Sequence, residues 1–117
     1  MAVKCDADVG ALKPVLAAAL DDSPGLLVQT GPTLLYSVHM ANGAAALTYI
    51  QCFNAAALSD VTLGTTVADI AIPIIASGVL DIDLKKPVMF PKGLVVFSTN
   101  SATGSTGATS NGSFFVG

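Results

Sequence analysis

Arginine, glutamate and tryptophan are absent from this chain of 117 residues, and histidine occurs once, at His39. The remaining charges are five lysines and eight aspartates, which gives a net charge of −3. Nucleic-acid binding depends on a basic patch that displaces counterions from phosphates, usually with arginine among its side chains. This composition therefore predicts no nucleic-acid partner.

The scarcity of reactive side chains argues against catalysis, which needs a nucleophile, a base and an orienting group, or a metal with several ligands. His39 has no Ser-His-Asp or Cys-His spacing around it, so we interpret it as a surface or interface imidazole. The pairs Asp6/Asp8 and Asp81/Asp83 lack the glycine and the closing glutamate of a calcium loop, and we interpret them as solvated. The sequence predicts no enzyme activity, no cofactor and no metal.

Long hydrophobic runs are also missing. The apolar stretch over residues 9–20 contains Lys13 and Pro14 and falls short of the ~20 residues that a membrane-spanning helix needs. A secretory leader is not indicated, because its positive region would be Lys4 alone, followed by two aspartates. We expect a protein that is made and used without export and has no membrane partner.

Cysteine occurs only at Cys5 and Cys52, which is too few for a disulfide framework. Cys52 lies within an apolar run and is interpreted as a small buried hydrophobe. Two free thiols in a reducing cytoplasm are the preferred interpretation, and their pairing stays open.

Apolar residues make up 52% of the chain and charged residues 11%, against about 25% charged residues in ordinary soluble domains. So few charges cover the surface of a free monomer poorly, and exposed apolar patches mark contact sites. The composition favours a subunit that is partly buried in an assembly.

What is present is a series of short β-type runs joined by turn signals. Side chains alternate between the two faces of an extended run. In the first run, one face would carry Leu34, Tyr36, Val38 and Met40. In the next run, one face would carry Leu47, Tyr49 and Phe53. Asn42-Gly43 between the runs suits a tight turn. We therefore predict a hairpin of Thr33–Ala41 and Ala45–Asn54 in an all-β fold, a small β-sandwich or jelly roll.

Further strands follow from the same patterns. Pro73 places the run Thr66–Ile75 at a sheet edge or at a bulge. The aspartates of Val79–Leu84 alternate with apolar residues, as in a half-buried strand. Lys85-Lys86 is interpreted as a solvated loop pair. The other predicted elements are strands at Leu26–Gln29, Pro87–Phe90, Gly93–Thr99 and Phe114–Val116, a tight turn at Pro91–Gly93, and a flexible Ser/Gly-rich loop at Ser101–Gly112.

Residues 1–30 differ from the rest and are predicted to form an N-terminal arm, irregular or short-helical, ahead of a β-sandwich domain over residues 31–117. The Ala- and Leu-rich segment Lys13–Leu20 favours a short helix with Pro14 in its first turn. The arm holds apolar side chains that need burial, so we expect it to contact neighbouring subunits through Val9, Leu12, Val15, Leu16 and Leu20.

Several of these segments, taken in order, resemble a family of small structural proteins encoded by tailed bacteriophages. The resemblance covers Pro32 to about Gly104, and it is carried by a Leu-Tyr strand, a Tyr-rich strand ending in Phe-Asn, Leu-Gly-Thr-Thr, Ile-Pro, and Phe-Pro-x-Gly before Phe-Ser-Thr. In this chain these are Pro32–Val38, Tyr49–Asn54, Val61–Thr66, Ile72–Ile74 with Ser77-Gly78, and Phe90–Thr99.

The resemblance implies a virion component, a capsid decoration or cement protein that binds the major capsid protein on the head surface, often as a homotrimer, after synthesis in the host cytoplasm. The alternative is a receptor- or carbohydrate-binding β-sandwich of a phage tail or fibre. Family members often continue with Thr-Gly-Leu after Phe-Ser-Thr, whereas Asn100-Ser101-Ala102 follows here. The arm and the Ser/Gly-rich loop are not matched.

Overall fold

Eight strands make up most of the structure, a computed structural model that describes residues 12–23 and 25–117. Sheet A has the order β1-β8-β3-β6 and sheet B the order β2-β7-β4-β5, with antiparallel pairing throughout. The all-β sandwich prediction is confirmed. The strands are β1 (Lys13–Leu20), β2 (Leu26–Thr30), β3 (Thr33–Asn42), β4 (Thr48–Asn54), β5 (Ile70–Ile74), β6 (Val79–Phe90), β7 (Gly93–Thr99) and β8 (Ser110–Val116).

Successive strands along the chain mostly alternate between the two sheets. Six of the seven connections between consecutive described strands pass from one sheet to the other, and only β4 and β5 are neighbours in the same sheet. The jelly roll stays a prediction, which this interleaved order favours.

The main core lies between the sheets, where alternate residues of facing strands meet. Its largest buried side chains include Leu35, Met40, Ile50, Phe90 and Phe114. A second, smaller cluster covers the other face of sheet B, where the β4–β5 connection packs over it. Strand β7 is consequently buried along its whole length.

The predicted hairpin is wrong. Strand β3 belongs to sheet A and β4 to sheet B, so the segment after Asn42 crosses the sandwich instead of folding back on its own strand. Gly43 does not adopt a positive φ, which a two-residue hairpin turn would require.

The predicted common face of β3 is also wrong. Strand β3 carries one extra residue relative to β8 between Leu35 and Ser37. Such a bulge reverses the alternation, because the side-chain period of a strand is two residues. Leu35 therefore lies in the core with Val38 and Met40, while Leu34 and Tyr36 are only partly buried.

The predicted short helix at Lys13–Leu20 is wrong, because this segment is strand β1, an edge strand paired with β8. A helix of eight residues is marginal on its own, and pairing with β8 buries Ala17 and Leu20 in the main core. The strand predicted at Leu26–Gln29 is confirmed as β2. The segment assigned to the arm thus supplies an edge strand to each sheet.

Strand β6 is longer than predicted. It runs unbroken over Val79–Phe90, and Lys85 and Lys86 lie inside it, where its pairing register with β3 shifts. The alternation of exposed aspartates with half-buried apolar residues before them is confirmed. Pro73 lies in β5, which is an edge strand as predicted.

The Ser/Gly-rich loop is hydrogen-bonded to β4 and to Asp21, which follows β1, and β8 begins at Ser110, earlier than predicted. The buried Gln51 donates from Nε2 to the carbonyls of Ser101 (3.2 Å) and Gly104 (3.0 Å). At the other end of the loop, Thr109 Oγ1 donates to Asp21 Oδ2 at 2.6 Å. This hydrogen bond, with one from a neighbouring backbone N–H, lowers the pKa of Asp21.

Candidate functional site

The residues predicted as the arm's interface are divided between core and surface. Leu20 is buried and Val15 packs against the core, so neither is free for a partner. Leu12 and Leu16 are exposed, and Leu16 is 73% accessible. Val9 lies outside the described residues.

His39 lies on the outer face of sheet A, between Asp81 of β6 and Ser113 of β8. Its Nδ1 is 2.8 Å from Asp81 Oδ1, and its Nε2 is 3.8 Å from Asp83 Oδ1. The ring packs edge-on against Phe115 at 5.5 Å between centroids. The imidazole is therefore a partly exposed surface group held by the sheet, on the side opposite Val38.

These three groups do not make a metal centre. Within residues 12–23 and 25–117, no set of three or more His, Cys, Asp or Glu side chains is arranged to hold a metal ion. In the same ranges no helix has the length and apolar character that a membrane crossing requires.

Cys52 is fully buried in β4, as predicted, and its thiol is free. Burial, with a smaller contribution from the negative charge of Asp69, raises the pKa of Cys52 to about 12. The thiolate that would react is thereby disfavoured. Cys5 lies outside the described residues.

The raised pKa of Cys52 predicts that the folded protein becomes less stable as the pH rises into the alkaline range. The folded protein keeps the Cys52 proton above about pH 9, where the unfolded chain loses it, so the free energy of unfolding should decrease between about pH 9 and 12. The slope due to this group is at most about 1.4 kcal/mol per pH unit. Urea denaturation of a Cys5→Ser variant at pH 7 and pH 10 measures it.

A Cys52→Ala variant in the same background is the matched control and should lose this part of the pH dependence. Equal slopes with and without Cys52 would contradict the assignment. The thiol should also stay unreactive toward a disulfide reagent at pH 8 until urea unfolds the chain.

The outer edges of the sandwich are poor templates for a further strand. Pro14 lies in edge strand β1 and Pro73 in edge strand β5, and the pairing of edge strand β2 with β7 shifts register between Leu27 and Gln29. The edge of β6 is interrupted by a register shift that contains Lys85, Lys86 and Pro87. Proline, lysine and bulges are the devices by which sheet edges avoid pairing with other chains. Contacts with a partner would therefore use side chains instead of edge backbone.

A cleft of about 430 Å³ opens on the outer side of sheet B, between β4 and the β4–β5 connection. Its charged groups are Asp60, Asp69 and Lys92, above an apolar lining that includes Phe53. Asp69 is partly engaged by the fold, since its Oδ2 accepts a hydrogen bond from the backbone N–H of Asn54 at 2.7 Å.

An uncharged apolar surface lies where the β3–β4 and β5–β6 connections meet. We call residues 43–47 and 75–79 the apolar tip. Its exposed large side chains are Leu47, Ile75 and Val79, with Ala45 and Ala46 beside them. No periodic pattern in the sequence predicts it, because the two connections are about 30 residues apart along the chain and strand alternation does not extend into loops.

The apolar tip is held by the buried side chain of Asn42. Asn42 Nδ2 donates to the carbonyls of Ala46 (2.9 Å), Ile74 (3.2 Å) and Ile75 (3.0 Å). Its Oδ1 accepts from Ala44 N (2.9 Å) and from a threonine hydroxyl (3.0 Å). One amide thus joins the two connections.

Comparisons with protein-family models, with curated proteins and with solved structures find no match to this chain.

Proposed function

We propose that this protein is a capsid decoration, or cement, protein that binds the outside of a tailed-phage head and stabilises contacts between subunits of the major capsid protein. In this proposal it acts as a homo-oligomer, with a trimer favoured, and performs no chemistry.

The observation that carries the proposal is the exposure of large apolar side chains. Eight of them are exposed in the described residues: Leu12, Leu16, Leu47, Leu58, Val67, Ile75, Val79 and Met89. A surface that combines them with so few charges is typical of a chain that other protein covers. The blocked sheet edges favour contact through these side chains, and the resemblance to phage structural proteins points to a shell as the partner.

The energetics suit a lattice. A stable protein interface buries about 1,200–2,000 Å², and only part of the gross interaction survives the cost of association. A decoration protein makes the same contact at every equivalent site of the shell, so the modest stabilisation that each bound copy gives the assembled shell adds up over the particle.

The proposal predicts that the protein raises the temperature at which shells come apart. Purified shells with and without bound protein would be heated side by side, and release of the major capsid protein followed by light scattering. We expect a shift of several degrees, because binding to the assembled state alone stabilises that state. Equal disruption temperatures at full occupancy would contradict the cement role.

The cleft on sheet B favours a second candidate, a receptor- or carbohydrate-binding module of a tail or fibre. Its volume falls within the range of small-molecule sites, and its lining mixes apolar and charged groups. Copy number separates the two functions, since a decoration protein should be present in hundreds of copies per particle and a tail component in a few. Quantitative gel analysis of purified virions measures this number.

A further inference from the structure

We infer that the apolar tip is the part of the molecule that docks on the shell, and that it inserts into an uncharged apolar recess between capsid subunits. This inference rests on the proposed function and adds to it the contacting surface and the chemistry of the partner.

The apolar tip is built to stay in one conformation although it is exposed. Besides the Asn42 side chain, backbone bonds tie its two halves together: Ser77 N donates to Ala44 O at 2.9 Å, and Asn42 N donates to Gly78 O at 2.8 Å. Ser77 has a positive φ of 53°, which a turn closed by these bonds maintains. Projecting side chains on a fixed backbone lose little freedom on binding.

The chemistry of the apolar tip selects an apolar partner. No charged residue occurs between His39 and Asp60, or between Asp69 and Asp81. Ile75 is 70% exposed and Val79 67% exposed. A charged group placed against these side chains would lose its water without gaining a partner. The matching surface is therefore a recess lined by aliphatic or aromatic side chains.

The size of the apolar tip points to a shell subunit and not to a second copy of this chain. The two connections supply about ten residues, whereas a stable protein pair uses about 20–30 residues a side. Joined symmetrically, two tips would make a contact too small to hold a dimer. In the trimer of the proposed function, three linked tips would engage the same shell together, and linked sites bind far more tightly than one site alone.

The test compares substitutions at the apolar tip with one at another exposed site. Ile75→Asp places a carboxylate at an exposed position of the β5–β6 connection, and Ala45→Asp does so in the β3–β4 connection. Ala56→Asp is the matched control for Ala45→Asp, because Ala56 is also an exposed alanine and lies outside the tip, in the β4–β5 connection. Each variant is mixed with purified shells that lack the protein, and the bound fraction is measured by co-sedimentation over a range of concentrations.

We expect Ile75→Asp and Ala45→Asp to weaken binding to shells at least about 10-fold, since each would bury an unpaired charge. We expect Ala56→Asp to bind as the native protein does. Circular dichroism and the unfolding temperature establish that the variants are folded. Ala45→Asp alone suffices if Ile75→Asp does not fold.

The outcomes separate the inference from the proposed function. If the native protein fails to bind shells, the proposed function is wrong. If the native protein binds and both tip variants bind equally well, the proposed function stands and the inference is wrong. If the tip variants change the oligomeric state in size-exclusion chromatography and leave shell binding unchanged, the tip joins copies of this chain, which also overturns the inference.

Discussion

Replacing Asn42 with aspartate should lower the free energy of unfolding by about 3–5 kcal/mol, which is a large part of the stability of a domain this size. The Asn42 amide group donates to three carbonyl oxygens, of Ala46, Ile74 and Ile75. A carboxylate oxygen in its place would face these three acceptors with no hydrogen to share, in a buried site. Urea denaturation at pH 7 measures the loss.

The same reasoning gives the Asn42→Asp variant a characteristic pH dependence. Its buried carboxyl should have a raised pKa, so the deficit should be full at neutral pH and shrink as the pH falls toward about 4, where the carboxyl takes up a proton. Asn111→Asp is the control, because Asn111 uses only its oxygen, as acceptor from Ala19 N. We expect that variant to lie within about 0.5 kcal/mol of the native protein. An equal effect of both substitutions would show that the Asn42 amide does not hold the apolar tip.

Replacing Gly93 with alanine should cost about 2–4 kcal/mol. Gly93 has a φ of 143°, where side chains are strained. An added Cβ would also lie 2.6 Å from Ala55 O and 2.7 Å from Gln29 O, and both of these are backbone atoms that cannot turn aside. Gly93 is the first residue of β7, directly after the turn from sheet A to sheet B. A shift of the backbone at this position would therefore disturb the pairing of a fully buried strand.

Gly43→Ala is the matched control for Gly93→Ala. No heavy atom lies within 4 Å of a Cβ added at Gly43, and its φ is not positive. The substitution should be neutral or raise the free energy of unfolding by about 0.4–1 kcal/mol, because alanine lowers the conformational entropy of the unfolded chain. Urea denaturation compares the two variants, and a loss at Gly43 as large as that at Gly93 would contradict the steric argument.

The sequence identifies strands better than it identifies their partners. Asp81 and Asp83 alternate with apolar residues because β6 has one face on the core and one in water, and such a strand can be read from its own residues. Pro73 likewise indicates an edge by itself, since it cannot donate to a neighbouring strand.

The predicted hairpin is wrong because the pattern of a strand does not identify the strand with which it pairs. Asn42-Gly43 is compatible with a tight turn, but nothing in the two flanking runs states which sheet each of them joins. That choice depends on β8 and β7, the inner neighbours of β3 and β4, which lie far along the chain. Asn42 itself serves as a buried hydrogen-bonding centre, a role that only the folded arrangement reveals.

Local propensity fails in β1 and alternation fails in β3 for related reasons. The alanines and leucines of Lys13–Leu20 favour a helix in isolation, and pairing with β8 overrides that preference. In β3 the extra residue at Tyr36 shifts the face of every residue before it, and no residue type marks such a bulge. Leu20, which was predicted as an interface residue, lies in the main core for the same reason, because β1 is a strand.

The interleaved strand order has a consequence for synthesis on the ribosome. Strand β8 fills the position between β1 and β3, and β7 fills the position between β2 and β4. Until residues 93–116 have left the exit tunnel, β1 and β2 lack the strands with which they pair, and the pairs β3–β6 and β4–β5 each leave one inner edge open. Such distant pairings form slowly and leave intermediates prone to aggregation. Newly made copies should therefore depend on chaperones more than their small size suggests.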